Sequence, residues 1–119
     1  MVRSKYITDI LEHLLDGDDA GLSAKQQLHF ITEENLEYTP SGLFVTFAHS
    51  DGIAEHKVAD EDLILDGVEI HSTEFPIQAH AFLYFSNGII SLLEIWCYLG
   101  NYPVHDLKEY TLIHARALH

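Results

Sequence analysis

Nine histidines are the residues of this chain that most directly raise the question of metal chemistry. None stands four residues from another, as in a helical metal site, and no His-x-His pair occurs. The remaining metal candidates are His71 and His80, which a sheet could bring near Glu94. Surface or hydrogen-bonded histidines are the simpler interpretation. The spacing therefore predicts neither a metal ion nor another cofactor.

Glu94 is the candidate for acid–base chemistry, because it lies within the apolar run 92–98. A carboxylate buried there must be paired, hydrogen-bonded or protonated, and it could act as a general acid or base beside Tyr84 or Tyr98. Glu94, Trp96 and Tyr98 would then line a pocket. The structural alternative is that Glu94 accepts hydrogen bonds from a loop or forms an ion pair with one of the basic residues Arg3, Lys5 and Arg116. This alternative is preferred, because the chain has no Gly-x-Ser-x-Gly motif and no phosphate-binding glycine loop.

The element that must position these residues is a hairpin over residues 79–98. Two apolar runs flank Asn87 and Gly88, a pair that favours the positive φ angles of a two-residue turn. The register is then Phe85 opposite Ile90, Leu83 opposite Leu92, and Ala81 opposite Glu94. This register predicts that His80 and Glu94 point to opposite faces, and that both faces are largely apolar.

The rest of the chain supplies a helix and further strands. Ser4 can cap a helix over residues 5–16, which carries one apolar stripe and ends at Gly17. A short apolar run at 63–65 precedes a turn. Strands are expected over residues 28–38, 43–49, 53–58, 68–71 and 110–115. This order predicts an α+β domain, in which an N-terminal amphipathic helix packs on a mainly antiparallel sheet of five to six strands.

The length and composition fit a single domain over residues 1–119, with 47% apolar residues for its core. No apolar run is long enough for a membrane span, and the first residues lead into an amphipathic segment rather than a signal peptide core. The cytoplasm is therefore the expected compartment. Cys97 is the single cysteine, which excludes an internal disulfide and favours a buried packing thiol.

Acidic residues strongly outnumber basic ones, 19 against 6, for a formal net charge of -13. Nucleic acid is not expected as a partner, because phosphate binding needs clustered Lys and Arg. An acidic surface keeps a protein soluble, and it can also steer a basic partner protein. The carboxylates expected to contact such a partner are Asp18, Asp19, Glu33, Glu34, Asp60, Glu61 and Asp62.

Residues 38–47, 81–94 and 102–103 carry a resemblance to known proteins. They contain a Gly followed by aromatic strand residues, an apolar strand, a turn Gly, a Leu-Glu pair and a late Tyr-Pro. In this order they resemble a set of small uncharacterised bacterial α+β domains, over roughly the last two thirds of the chain. In size and acidity the chain is also similar to the immunity proteins of bacterial toxin systems. That likeness implies an inhibitor that binds a basic toxin.

Two functional hypotheses follow. The first is a non-enzymatic, immunity-like protein that masks a basic partner with acidic loops and exposed aromatic residues. The second is a small enzyme, or a ligand- or metal-binding domain, with a pocket around Glu94. A homodimer that buries the surplus apolar face of the hairpin is compatible with either hypothesis.

Overall fold

The fold is an antiparallel sheet with one long helix packed against it, so the predicted α+β class is confirmed. The computed structural model describes residues 1–114. The helices are α1 (Lys5–Asp16) and α2 (Asp19–Ser23), with 3₁₀ helices at Lys25–Phe30 and Ile53–His56. The strands are β1 (Ile31–Thr39), β2 (Gly42–His49), β3 (Ile64–Ser72), β4 (Ile77–Ser86), β5 (Ile89–Leu99) and β6 (Thr111–His114). Their order in the sheet is β1-β2-β5-β4-β3-β6, and every neighbouring pair is antiparallel.

Helix α1 covers one face of the sheet. It begins after Ser4, whose Oγ accepts a hydrogen bond from the backbone N–H of Ile7 at 3.1 Å, and Gly17 caps its end. Its apolar stripe is buried and comprises Ile7, Ile10, Leu11, Leu14 and Leu15. Each such side chain contributes about 1.5–3 kcal/mol on burial, so packing rather than intrinsic propensity fixes this helix.

The central hairpin, β4 and β5, turns at Asn87 and Gly88, whose φ angles are 53° and 78°. The pairing next to the turn is as predicted, with Phe85 opposite Ile90. Beyond that pair the predicted register is wrong, because Ser91 is an extra residue on β5. The following pairs are Tyr84 with Leu92, Leu83 with Leu93, Phe82 with Glu94, and Ala81 with Ile95. This β-bulge turns the later side chains of β5 to the other face of the sheet.

The bulge divides the hairpin into an apolar face and a mixed face. The buried face carries Ala79, Ala81, Leu83, Leu93, Ile95 and Cys97. The other face carries His80, Phe82, Tyr84, Leu92, Glu94 and Trp96, all half-buried or exposed. His80 and Glu94 therefore share a face, contrary to the prediction, and the expected apolar character of both faces is wrong.

Two strand predictions also differ from the structure. Residues 53–58 contain the 3₁₀ helix Ile53–His56 instead of a strand, and this helix begins after Gly52, which has a φ of 98°. Ile64 and Leu65 of the short apolar run and the strand predicted at 68–71 form one strand, β3, with a bulge between Leu65 and Val68. A local turn pattern within β3 thus marks a bulge in a longer strand.

Candidate functional site

The sheet face turned away from α1 carries aromatic and acidic side chains, and we call it the open face. It consists of Phe44 on β2, Glu94, Trp96 and Tyr98 on β5, His80, Phe82 and Tyr84 on β4, and Glu69 and His71 on β3. Trp96 is 50% exposed and Tyr98 is 40% exposed, and the other side chains are half-buried. Exposed aromatic residues in one patch are a feature of interaction surfaces.

Regular alternation on β4 builds one half of the open face. Ala79, Ala81 and Leu83 are fully buried against the core, so the residues between them point outward. On β5 the alternation is interrupted by Ser91 and Leu92, which are both half-buried and lie between the fully buried Ile90 and Leu93. The bulge at Ser91 brings the outward residues of β5 into line with those of β4.

Glu94 lies at the centre of the open face, between its cross-strand neighbours Phe44 and Phe82. Its Oε1 accepts a hydrogen bond from the Tyr84 hydroxyl at 2.8 Å. Burial and the Glu94 carboxylate both raise the pKa of Tyr84, so the phenol remains a hydrogen bond donor at neutral pH. Tyr84 orients Glu94 without neutralising its charge.

The basic residues considered as partners of Glu94 are engaged elsewhere or lie outside the described residues. Arg3 Nε is 3.8 Å from Glu33 Oε1, and Lys5 Nζ is 2.8 Å from Asp9 Oδ2. Arg116 lies outside the described residues. Within residues 1–114, no Lys or Arg forms an ion pair with Glu94.

Glu69 supplies the second carboxylate of the open face. Its Oε1 lies 3.3 Å from His80 Nε2 and 3.5 Å from the Tyr98 hydroxyl, whose nearer acceptor is Gln78 Oε1 at 3.2 Å. Its Oε2 lies 3.6 Å from His71 Nε2, a buried atom without a hydrogen bond partner among residues 1–114. Burial and the Glu69 carboxylate raise the pKa of Tyr98.

The two histidines singled out from the sequence as metal candidates thus meet beside Glu69. Glu94 lies on the same face, but its cross-strand partner on β4 is Phe82 rather than His80. In the part of the chain that the structure describes, no three His, Cys, Asp or Glu side chains are arranged to hold a metal ion.

Trp96 is the most exposed aromatic residue of the open face. Its neighbour on β4 is His80, and its neighbour on β2 is Gly42, which has no side chain. The Tyr98 ring follows along β5, with its centroid 5.8 Å from that of Trp96 and an interplanar angle of 43°. The indole is consequently open on the side of β2.

The three residues predicted to line a pocket, Glu94, Trp96 and Tyr98, lie together on this open surface rather than in an enclosed cavity. A groove of about 690 Å³ lies beside α1 instead, and its borders include Lys5, Asp9, Lys108 and Tyr110. Lys5 and Tyr110 both donate hydrogen bonds to Asp9 in this groove. The Asp9 carboxylate in this groove is therefore already engaged by Lys5 and Tyr110.

Glu33, one of the predicted partner-binding carboxylates, is 8% exposed and holds the start of α1. Its two carboxylate oxygens accept hydrogen bonds from the backbone N–H groups of Arg3 and Ser4, at 2.8 and 2.9 Å. Burial alone raises the pKa of Glu33, but these backbone hydrogen bonds outweigh it, and the pKa is lowered overall. Glu33 therefore fixes the start of α1 to β1 and is not an exposed carboxylate available to a partner.

The other predicted partner-binding carboxylates are spread over the surface. Asp18 accepts a hydrogen bond from the Ala20 N–H at 2.8 Å and caps α2. The exposed carboxylates are Asp19, Glu34, Asp60, Glu61 and Asp62. The segment 60–62 lies beside the hairpin turn, because the Gly88 N–H donates to the Glu61 carbonyl at 3.0 Å.

Sequence reasoning missed Glu69, Phe44 and Phe82 as members of the site. Glu94 itself is the signal that could have found them, because the regular hairpin register places this carboxylate opposite Ala81 within an apolar strand. A one-residue bulge between the hairpin turn and Glu94 would have placed Glu94 and Phe82 on one face.

Comparison of the chain with protein-family models, with curated proteins and with solved structures found no match. Among residues 1–114, no helix has the length and apolar character needed to cross a membrane. The open face and the charge of the chain are therefore the features that point to a function.

Proposed function

We propose that this chain is a non-enzymatic protein-binding domain whose open face takes a basic protein, as an immunity protein takes the toxin that it masks. The observation that carries this proposal is the composition of the open face. Aromatic residues lie beside Glu69 and Glu94, and none of the six described strands contains a Lys or Arg. Aromatic anchors of this kind dominate the binding energy of interfaces, and carboxylates beside them select a cationic partner.

A second copy of the chain fits the open face poorly. Face-to-face contact would bring the Glu69 and Glu94 carboxylates of two copies together, with no strand Lys or Arg to compensate them. Each copy also carries a formal charge of -13, so the two would repel one another. A partner rich in Lys and Arg removes both penalties.

The dimensions of the sheet suit a macromolecular partner. Strands about 4.8 Å apart, with a rise of about 3.3 Å per residue, give six strands a face of about 600–700 Å². Each partner in a standard protein interface contributes about 800 Å². The open face and its rim are therefore large enough for a specific complex.

The alternative is a small enzyme or ligand-binding domain centred on Glu94. The hydrogen bond from Tyr84 to Glu94 would supply an acid–base pair for such a role. Small-molecule sites, however, enclose most of the surface of their ligand. Since Trp96 is 50% exposed and Tyr98 is 40% exposed, the geometry supports a protein partner better than a small substrate.

The test is a comparison of three tagged proteins in pull-downs from the lysate of the host: the wild type, Trp96→Ala and Leu22→Ala. Leu22 is the matched control, because it lies on α2 and is 49% exposed. We expect a basic protein that the wild type and Leu22→Ala retain at low salt and release at high salt. Trp96→Ala should fail to retain it.

A variant of the acidic loop locates the contact further. It combines Asp60→Asn, Glu61→Gln and Asp62→Asn. Loss of a basic partner in this variant alone would move the contact from the open face to the loop. Light scattering measures whether the wild type and Trp96→Ala are monomers or dimers. The proposal would be refuted if no basic partner is captured and the wild type forms a homodimer that Trp96→Ala dissociates.

A further inference from the structure

Resting on the proposed function, we infer that the open face recognises an arginine side chain of its partner. The guanidinium would stack on the Trp96 indole and donate hydrogen bonds to the Glu94 carboxylate. This assigns an amino-acid specificity to the site, beyond a general preference for positive charge.

The spacing of the two groups suits one guanidinium. Glu94 and Trp96 point to the same face of β5, two residues apart, which is about 6.6 Å along a strand. A guanidinium that stacks on the Trp96 indole, with its N–H groups directed along β5, can reach the Glu94 carboxylate across this distance of about 6.6 Å. Stacking and hydrogen bonding can therefore be satisfied together.

The indole is available for stacking. Trp96 is 50% exposed, and Gly42 on the neighbouring strand places no side chain beside it. A φ of 149° and the close Ile95 carbonyl oxygen, 1.8 Å from where a Cβ would lie, keep this position a glycine. The open flank of Trp96 is thus built into the backbone.

The carboxylate is oriented in advance for a cation. Tyr84 donates to Oε1 of Glu94, and the rings of Phe44 and Phe82 lie on the flanking strands. Aromatic neighbours reduce the hydration of a carboxylate and so strengthen its attraction for a partner charge. No Lys or Arg within residues 1–114 occupies this position.

Arginine fits this pair of groups better than lysine. The guanidinium is planar, stacks on aromatic rings, is weakly hydrated and offers several donors in a fixed fork. A lysine ammonium is a compact and strongly hydrated point charge, so it would gain less from the indole. The site should therefore separate two peptides of equal charge.

The experiment titrates the protein with two short peptides that differ only in having Arg or Lys at each basic position. Trp96 is the only tryptophan in the chain, so intrinsic fluorescence reports on the site directly. We expect the Arg peptide to change the fluorescence and to bind at least five-fold more tightly than the Lys peptide. Calorimetry repeats the comparison with Trp96→Ala, which should bind both peptides weakly and equally.

Glu94→Gln and Glu55→Gln provide a matched pair of charge variants. Both remove one negative charge, but Glu55 is exposed on the second 3₁₀ helix. Glu94→Gln should weaken Arg peptide binding about ten-fold, and Glu55→Gln should change it less than two-fold. Circular dichroism verifies that each variant is folded.

Three results would overturn the inference: no binding of the Arg peptide, equal binding of the two peptides, or equal losses in the two Gln variants. If a basic partner is nevertheless captured and survives Glu94→Gln, the arginine assignment fails while the proposed function stands. If the peptides discriminate as expected but no basic protein is captured, the proposed function fails instead.

Discussion

Gln27 is the polar residue whose replacement should disturb the fold most, because its side chain is fully buried and makes three hydrogen bonds. Its Nε2 donates to the carbonyls of His56 at 2.8 Å and Gly88 at 2.9 Å. Its Oε1 accepts from the backbone N–H of Ile90 at 2.8 Å. The amide thereby ties the second 3₁₀ helix to the turn and to the start of β5.

Gln27→Met keeps the approximate volume and removes all three bonds. The Gly88 carbonyl keeps a second donor, the Val58 N–H at 3.0 Å, whereas the fully buried Ile90 loses the partner that Gln27 gave its N–H. An unsatisfied buried donor costs about 1–3 kcal/mol, and each lost neutral hydrogen bond about 1 kcal/mol. We therefore expect Gln27→Met to lower the free energy of unfolding by about 3 kcal/mol.

Urea denaturation measures this loss, with Gln26→Met as the control, because Gln26 is exposed and adjacent. A loss of about 3 kcal/mol lowers the midpoint by about 1.5 M, for a slope of about 2 kcal/mol/M. Amide exchange at Ile90 should accelerate selectively. If the free energies of unfolding of Gln27→Met and Gln26→Met differ by less than about 1 kcal/mol, the three hydrogen bonds do not stabilise the hairpin turn.

Three further predictions concern other parts of the fold. Glu33→Gln should destabilise the protein by about 2 kcal/mol at neutral pH. Because folding lowers the pKa of Glu33, the difference in free energy of unfolding between variant and wild type should shrink as the pH falls below about 4. Denaturation at several pH values measures this difference. Gly42→Ala should cost at least about 3 kcal/mol in a thermal melt, since its Cβ would meet the Ile95 carbonyl oxygen. Burial raises the pKa of the Cys97 thiol, so a thiol reagent should label it slowly in the native protein and fully after denaturation.

Local patterns were sufficient to predict α1 and the hairpin turn. The apolar stripe, Ser4 and Gly17 set the bounds of α1 at Lys5–Asp16, as expected. Asn87 and Gly88 likewise set the turn, because few other pairs adopt two consecutive positive φ angles. Each of these features depends on neighbours within four residues.

Pairing and side-chain roles were harder to predict, because they depend on distant residues. The segment 53–58 has the alternation of an edge strand, but its first residues form the 3₁₀ helix Ile53–His56. This helix contacts β5, and Gln27 donates a hydrogen bond to its His56 carbonyl. Glu33 looks like a surface carboxylate in the sequence, but its partners are backbone N–H groups 29 and 30 residues away. Such contacts leave no local signature.

Glu94 itself was the strongest indication that the simple hairpin register could not hold. In that register Glu94 would lie opposite Ala81, which is fully buried on the face covered by α1. An unpaired carboxylate there would cost several kcal/mol, a large part of the 5–15 kcal/mol that stabilises a typical domain.

The extra residue at Ser91 avoids this cost by turning Glu94 to the open face, at the expense of one interruption in the strand pairing. The same bulge points Trp96 outward and places Leu93 and Ile95 in the core. One bulge therefore completes the core and creates the acidic, aromatic surface together. A charged residue within an apolar strand is thus evidence about register before it is evidence about catalysis.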